Sequence, residues 1–221
     1  MYLPKQYQET DLGVLHGLIG AYPLGAWVVP DEPGLVVNHI PFLVDADRGP
    51  RGTLVGHVAR ANPVWRIAAR SAASVVIFQG PHGYISPSWY PSKDQHGEVV
   101  PTWNYSVVHA HGVARIIHDS AWLRDLVERL TARHEAGRPT PWKVTDAPEE
   151  YVAGSLEAIA GVEIPIDRIE GKWKMSQNQA AADRQGVLDG LRARGDHDAE
   201  VLASLIEERA PGPARGGSND G

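Results

Sequence analysis

GTLVGHVARANP, residues 52–63, sets a strand directly before a capped helix start. Thr53–Ala59 is a short, mostly apolar and β-branched run introduced by Gly52, too short for a buried helix, and it reads as a strand. Asn62 then supplies an N-cap and Pro63 a first helical position, so a short helix should run through Trp65 to Arg70. Upstream, GAWVV (25–29) and LVVNHIPFLV (35–44) flank the turn Asp31-Glu32-Pro33-Gly34 as a hairpin. Pro41 marks an edge or bulge in its second strand. Downstream, SVVIFQ (74–79), a GPHG turn and YIS (84–86) resume the sheet, and a long strand follows at 102–117. Short strands without regular alternation with helices argue against a doubly wound parallel sheet. They favour a mainly β, α+β fold: an antiparallel barrel or sandwich with helices at its end.

The rest of the chain is helical at its margins. Leu12, Leu15, Leu18 and Ile19 recur at helical spacing after Asp11, and Ser120 should cap a helix whose stripe is Trp122, Leu123, Leu126, Val127 and Leu130. Another helix is expected from Pro148 to Ala160, a single strand at 162–175, and helices at 176–194 and 196–209. PSWYPSKDQHGEVVP (87–101) reads as a long loop. Residues 1–195 are taken as one domain with helical additions, 196–209 as a C-terminal helix and 210–221 as a disordered tail.

Composition narrows the chemistry. With 21 basic and 27 acidic side chains the net charge is −6, giving no global attraction to nucleic acid. The absence of cysteine excludes disulfides, thiolate nucleophiles, iron–sulfur clusters and cysteine zinc sites. No signal peptide or apolar span is evident, so the expected location is the cytoplasm, with no membrane partner. Phosphate-loop, dinucleotide, zinc-protease and nucleophile-elbow motifs are all missing.

Ten histidines and seven tryptophans remain, and six of the former and three of the latter fall within 39–111. His109 and His111 share a strand face as two metal ligands would, but no carboxylate at a nearby spacing completes the set. His57 sits mid-strand before Arg60 and Asn62, where imidazole can ligate haem iron and guanidinium can grip a carboxylate or phosphate. His39 is similar, with a structural role the default. GPHGYISPSWYPSK gathers His82, Tyr84, Trp89, Tyr90 and Lys93, joining stacking faces to an ammonium donor. Trp103 and Asn104 open the next strand. Lys174, Ser176 and Gln177 lie where a strand meets a helix, a favourable place for phosphate. Arg60, Arg66 and Arg70 lack any recognition-helix pattern, so direct DNA contact is not expected. One planar cofactor explains His57, with His39 and His82 among tryptophans, better than a bare metal ion.

MYLPKQY, NHIPF, GTLVGHVARANP, FQGPHGYISPSWYPSK, VPTWNY, LTARHEAGRPTPW and GKWKMSQNQ occur in an order that resembles the PaiB family of FMN-binding negative transcriptional regulators. The resemblance covers roughly residues 1–195 and implies a split β-barrel of the FMN-binding type, a homodimer with the flavin near the subunit interface, and a regulatory or flavin-linked redox role. Under that reading Arg60, Lys93, Lys174 and Ser176 donate to the phosphate, while His57, Trp89, Tyr90 and Trp103 border the ring. Asn62, Asn104 and Gln177 complete the cofactor-binding set, and a small-molecule ligand or substrate is expected. GHxxRANP and PTWN also resemble the piperazate synthase branch, which implies a haem b enzyme closing an N–N bond in N5-hydroxyornithine with His57 on the iron. The retained SPSWYPSK loop departs from that branch. A cofactor-free regulator is the third expectation.

Overall fold

The computed structural model describes residues 1–210, so the tail expected at 210–221 lies, beyond Ala210, outside the described residues. Ten strands are present among them: β1 (Gln8–Glu9), β2 (Leu24–Asp31), β3 (Gly34–Pro41), β4 (Leu43–Asp45), β5 (Thr53–Ala59), β6 (Ser74–Ile85), β7 (Thr102–Gly112), β8 (Arg115–Ile117), β9 (Ile159–Pro165) and β10 (Arg168–Lys174). Seven α-helices accompany them: α1 (Leu12–Ala21), α2 (Val64–Ala68), α3 (Ser92–His96), α4 (Ser120–Glu135), α5 (Glu149–Glu157), α6 (Ala181–Arg194) and α7 (His197–Glu208). One sheet has the order β1-β10-β7-β6-β2-β3 and the other β4-β5-β9-β8. The strand pairs β2–β3, β2–β6, β4–β5, β5–β9 and β8–β9 are antiparallel, as the α+β expectation requires.

Strands that read as continuous in the sequence are cut where the chain changes sheets. Pro41 ends edge strand β3, Phe42 follows, and β4 pairs with β5 in the other sheet. The strand expected at 102–117 is broken at Val113-Ala114, and 162–175 is two strands separated at Ile166-Asp167. GPHG, read as a turn, lies inside β6. Buried positions there shift from Ser74, Val76, Phe78 and Gly80 to Gly83 and Ile85, the phase slip of one extra residue. A Cβ on Gly83 would come within 2.9 Å of Leu202, so a glycine is kept at this close approach. The helix expected from Ser176 begins at Ala181, because Ser176 takes φ 57° and turns the chain first. Ser120 does not cap α4; Asp119 does, accepting from Trp122 N at 2.8 Å. The long 87–101 loop contains a 3-10 turn (Pro87–Trp89) and α3.

The residues group into two compact units. One comprises Thr10–Gln79 and Val108–Glu170, the other Met1–Glu9, Gly80–Val107 and the chain from Gly171 onward. In the first, Leu43 and Val55 of the four-stranded sheet pack against Leu126 and Leu130 of α4. Leu123 joins Val144 and the α5 residues Val152 and Leu156 in an adjoining cluster. Trp27, Val29, Val76 and Phe78 are fully buried under the β2–β6 pair. In the second unit, α6 and α7 bury Val187, Leu191, Leu202 and Ile206. No helix of the described residues is long and apolar enough to cross a membrane.

Candidate functional site

The residues expected to meet one cofactor are distributed over both units: His57, Arg60 and Asn62 in the first, the other eight in the second.

In the second unit, β7 alternates. Thr102, Asn104 and Ser106 point to one face, and Trp103, half exposed at 48%, to the other. Asn104 is fully buried and its Nδ2 donates to buried Ser176 Oγ at 2.8 Å, while its Oδ1 has no hydrogen-bond partner. Ser176 holds its left-handed backbone, a conformation that costs a non-glycine residue about 1 kcal/mol, in return for that bond. Lys174 Nζ donates to Thr102 Oγ1. Gln177 is spent on its own turn: its Nε2 donates to Trp173 O and its Oε1 accepts from Met175 N, both at 2.7 Å. Asn104, Lys174, Ser176 and Gln177 therefore cluster around the β10–α6 turn.

The opposite face of β7 carries an aromatic surface. The His82 and Trp103 rings stack at 5.9 Å with 26° between planes, Trp103 Nε1 donates to His82 Nδ1 at 3.2 Å, and Tyr84 meets Trp103 edge-on at 6.2 Å. Tyr84 is 47% exposed. Trp89 does not join this surface. It lies on α6, where a Cβ on Gly190 would come within 2.3 Å of its ring. Ser92 fastens the same loop, with N and Oγ donating to the two carboxylate oxygens of Asp183 at 3.1 and 2.9 Å. Tyr90 is buried beneath with its hydroxyl unpartnered, and burial first and the Asp183 charge second push its pKa up. Lys93 remains exposed in α3 and its ammonium has no partner among the described residues.

In the first unit, Arg60 is a clasp. Its Nε donates to Glu157 O at 2.7 Å, its Nη2 to Ile159 O at 2.9 Å, and its Nη1 lies 3.3 Å from His118 Nδ1. It ties the end of α5 to the start of β9, and every guanidinium nitrogen is engaged. Asn62 is likewise occupied: Oδ1 accepts from Val64 N at 3.0 Å and Nδ2 donates to Asn38 Oδ1 at 2.7 Å. Arg66 lies over the Trp65 ring and Arg70 pairs with Asp31. His57 lines a cavity of about 270 Å3 whose walls include Val127 and Thr131 of α4, Val152 and Ser155 of α5, and also Val144 and Ile159. Its Nδ1 is buried and unpartnered, and burial pushes the imidazole pKa down, so the ring is neutral. A larger open depression of about 770 Å3 at the β2–β3 turn, closed by Arg70 and Ser71, holds none of the expected site residues.

One sequence reading is corrected here. His109 and His111 do have a carboxylate beside them: Glu170 of β10, whose Oε2 is 3.2 Å from His111 Nε2. The three donor groups lie within 4.8 Å of one another. Glu170 stands 59 residues from His111, and no local spacing in the sequence signals it.

Residues 1–168 match the family described as "Putative FMN-binding domain". The chain is similar to an uncharacterised protein of Aspergillus fumigatus, 34% identical over 254 residues that cover 95% of this chain and 97% of that protein. It is also similar to the Bacillus subtilis "Protease synthase and sporulation protein PAI 2", 29% identical over 212 residues, covering 95% and 98%. Among solved structures, the flavocytochrome Anf3 from Azotobacter vinelandii superposes with a TM-score of 0.54 at 15% identity, covering 76% of this chain and 69% of that one. The FAD and heme binding protein from Mycobacterium smegmatis gives 0.56 at 20% identity, covering 76% and 73%. At these identities the likeness is one of fold, and the fold is the α+β split barrel.

Proposed function

We propose, on the premise that the chain belongs to the family described as "Putative FMN-binding domain", that it binds FMN and serves as a PaiB-like regulator or a flavin-linked redox protein. The observation that carries this reading is the exposed His82–Trp103–Tyr84 surface, an aromatic face with the stacking chemistry an isoalloxazine ring requires. Trp103 and Tyr84 would hold the ring and Lys93, the ammonium with no other duty, the phosphate. Asn104, Ser176, Lys174 and Gln177 lie at the other face of β7 and shape the turn. When bound, the flavin supplies hydride chemistry, and the chain contributes placement and shielding.

Haem has less support. His57 is a fitting axial imidazole, but the cavity it lines falls below the roughly 300–1,000 Å3 of ordinary ligand pockets. Arg60, the cation nearest in sequence, already spends its guanidinium on backbone carbonyls and His118.

FMN titration of the purified protein, followed by flavin fluorescence, tests the reading. Trp103→Ala and Lys93→Ala should each weaken binding about tenfold, the scale of one lost stacking or phosphate contact. Unchanged affinity in both variants removes these residues from the site. A Soret band on haemin addition that disappears in His57→Ala would move the assignment to haem, and binding of neither cofactor would leave the cofactor-free regulator.

We also propose a homodimer. Leu24, Ala26, Val28 and Pro30 of β2 stand beside Pro41, His39, Val37 and Leu35 of β3 in register, so His39 is the one polar side chain among these eight. This apolar face leaves Leu24 at 61%, Leu35 at 68% and Val37 at 51% exposure, and β3 is the edge of its sheet.

A further inference from the structure

On β7, His109 and His111 project to one face because they are two residues apart, and their rings stand 6.3 Å apart. Glu170 of β10 brings a carboxylate to the same place, so two imidazole nitrogens and one carboxylate oxygen lie within 4.8 Å of one another. All three side chains are half-buried and belong to the same compact unit. The His109 ring has no hydrogen-bond partner among the described residues, which leaves a ring nitrogen available to a ligand. Elsewhere in the same unit His16 meets Arg51 O and His118 meets Arg60.

Arg168 reaches the same place. Its Nη1 is 2.7 Å from Glu170 Oε2, and its Nη2 is 3.1 Å from His111 Nδ1. The guanidinium can only donate, so His111 Nδ1 is the accepting nitrogen and Nε2 carries the proton directed at Glu170. Arg168 thus sets a positive charge against the carboxylate in this structure. Its side chain is 56% exposed, free on its solvent side to swing outward.

We propose that His109, His111 and Glu170 form a binding site for one divalent transition-metal ion of the zinc or cobalt type, with Arg168 as the counter-charge the ion displaces. Two neutral nitrogens and one carboxylate select a borderline ion over magnesium or calcium, which take oxygen ligands. Three protein ligands leave at least one coordination position for water or a small anion. The proton balance is explicit. His111 ligates through Nε2 after its proton moves to Nδ1, which Arg168 vacates; Glu170 ligates as the carboxylate; His109 ligates through a lone pair. Arg168 and the metal are therefore mutually exclusive.

Chelator-stripped full-length protein titrated with Co2+, read by visible absorption, and with Zn2+, read by calorimetry, provides the test. One ion per chain is expected, with affinity falling about 100-fold in His109→Ala and Glu170→Gln as a ligand is lost. Arg168→Ala should instead tighten binding about tenfold, because a competing positive charge leaves. His134→Ala, on the exposed side of α4, is the control and should bind as the parent does. Circular dichroism of each variant separates lost binding from lost folding. The proposal is overturned if the Co2+ spectrum and Zn2+ affinity are the same in parent, His109→Ala and Glu170→Gln, which would mean adventitious histidine binding. It is equally overturned if Arg168→Ala binds neither ion.

Discussion

His57 shows how one residue's surroundings set a property that its neighbours in sequence do not. Burial holds its pKa below the ordinary 6.5, and its Nδ1 has no partner. As pH falls through 6.5 the unfolded chain takes up a proton that the folded chain still refuses. Stability is therefore intact above that value, declines from there down to the folded pKa, and levels off below it as far as this group is concerned. His57→Leu removes a buried atom with no hydrogen bond, so it should leave stability near neutral or improved at about pH 8 and flatten the decline toward about pH 5.5. Urea melts at both values measure this; an equally steep loss in parent and variant would assign the decline elsewhere. His109 and His111, also lowered mainly by burial, keep a residual slope. The sequence places His57 among apolar strand residues, and it lies in β5. The sequence also made Arg60 a phosphate donor; in the structure the carbonyls that this guanidinium grips lie on α5 and at the start of β9, 97 and 99 residues away and invisible to local spacing.

At the level of elements, the boundaries read from sequence hold where a cap or an apolar period defines them. α1 begins after Asp11, whose carboxylate accepts from Val14 N, and β5 spans the expected Thr53–Ala59. They miss where a strand changes sheets, because apolar runs continue across the corner and only pairing reveals the break. The 86–96 segment illustrates a second limit. Its Trp89 reads as a stacking face for a ligand, yet it is the anchor of the loop on α6, against Gly186 and Gly190. These glycines give a prediction with opposite signs. Gly190→Ala would place a Cβ 2.3 Å from the rigid Trp89 ring and should destabilise by about 1–3 kcal/mol. Gly154→Ala, in α5 with nothing within 4 Å, should stabilise by about 0.5–1 kcal/mol through helix propensity alone. Thermal melts of the two variants compare them directly, and a stabilised Gly190→Ala would contradict the packing of Trp89.

For the whole molecule, the exposed β2–β3 face bears on assembly. Light scattering of the parent should give the dimer mass, and Leu35→Lys with Val37→Asp should give a monomer that keeps its circular dichroism; a monomeric parent would refute the homodimer. An α+β protein of short antiparallel strands with helical additions, without thiol chemistry and with PaiB-like motifs along its length, is legible in the amino-acid order alone. Those properties follow from periodicity, turn chemistry and composition, which are local. Which polar groups meet is set by the folded chain. Asn104 and Trp103, neighbours in sequence, fall on opposite faces of β7 because side chains alternate along a strand. Glu170, 59 residues from His111, arrives beside it because strands far apart in the chain are brought together on folding. Contacts of that kind depend on pairing and register, and no single segment carries them.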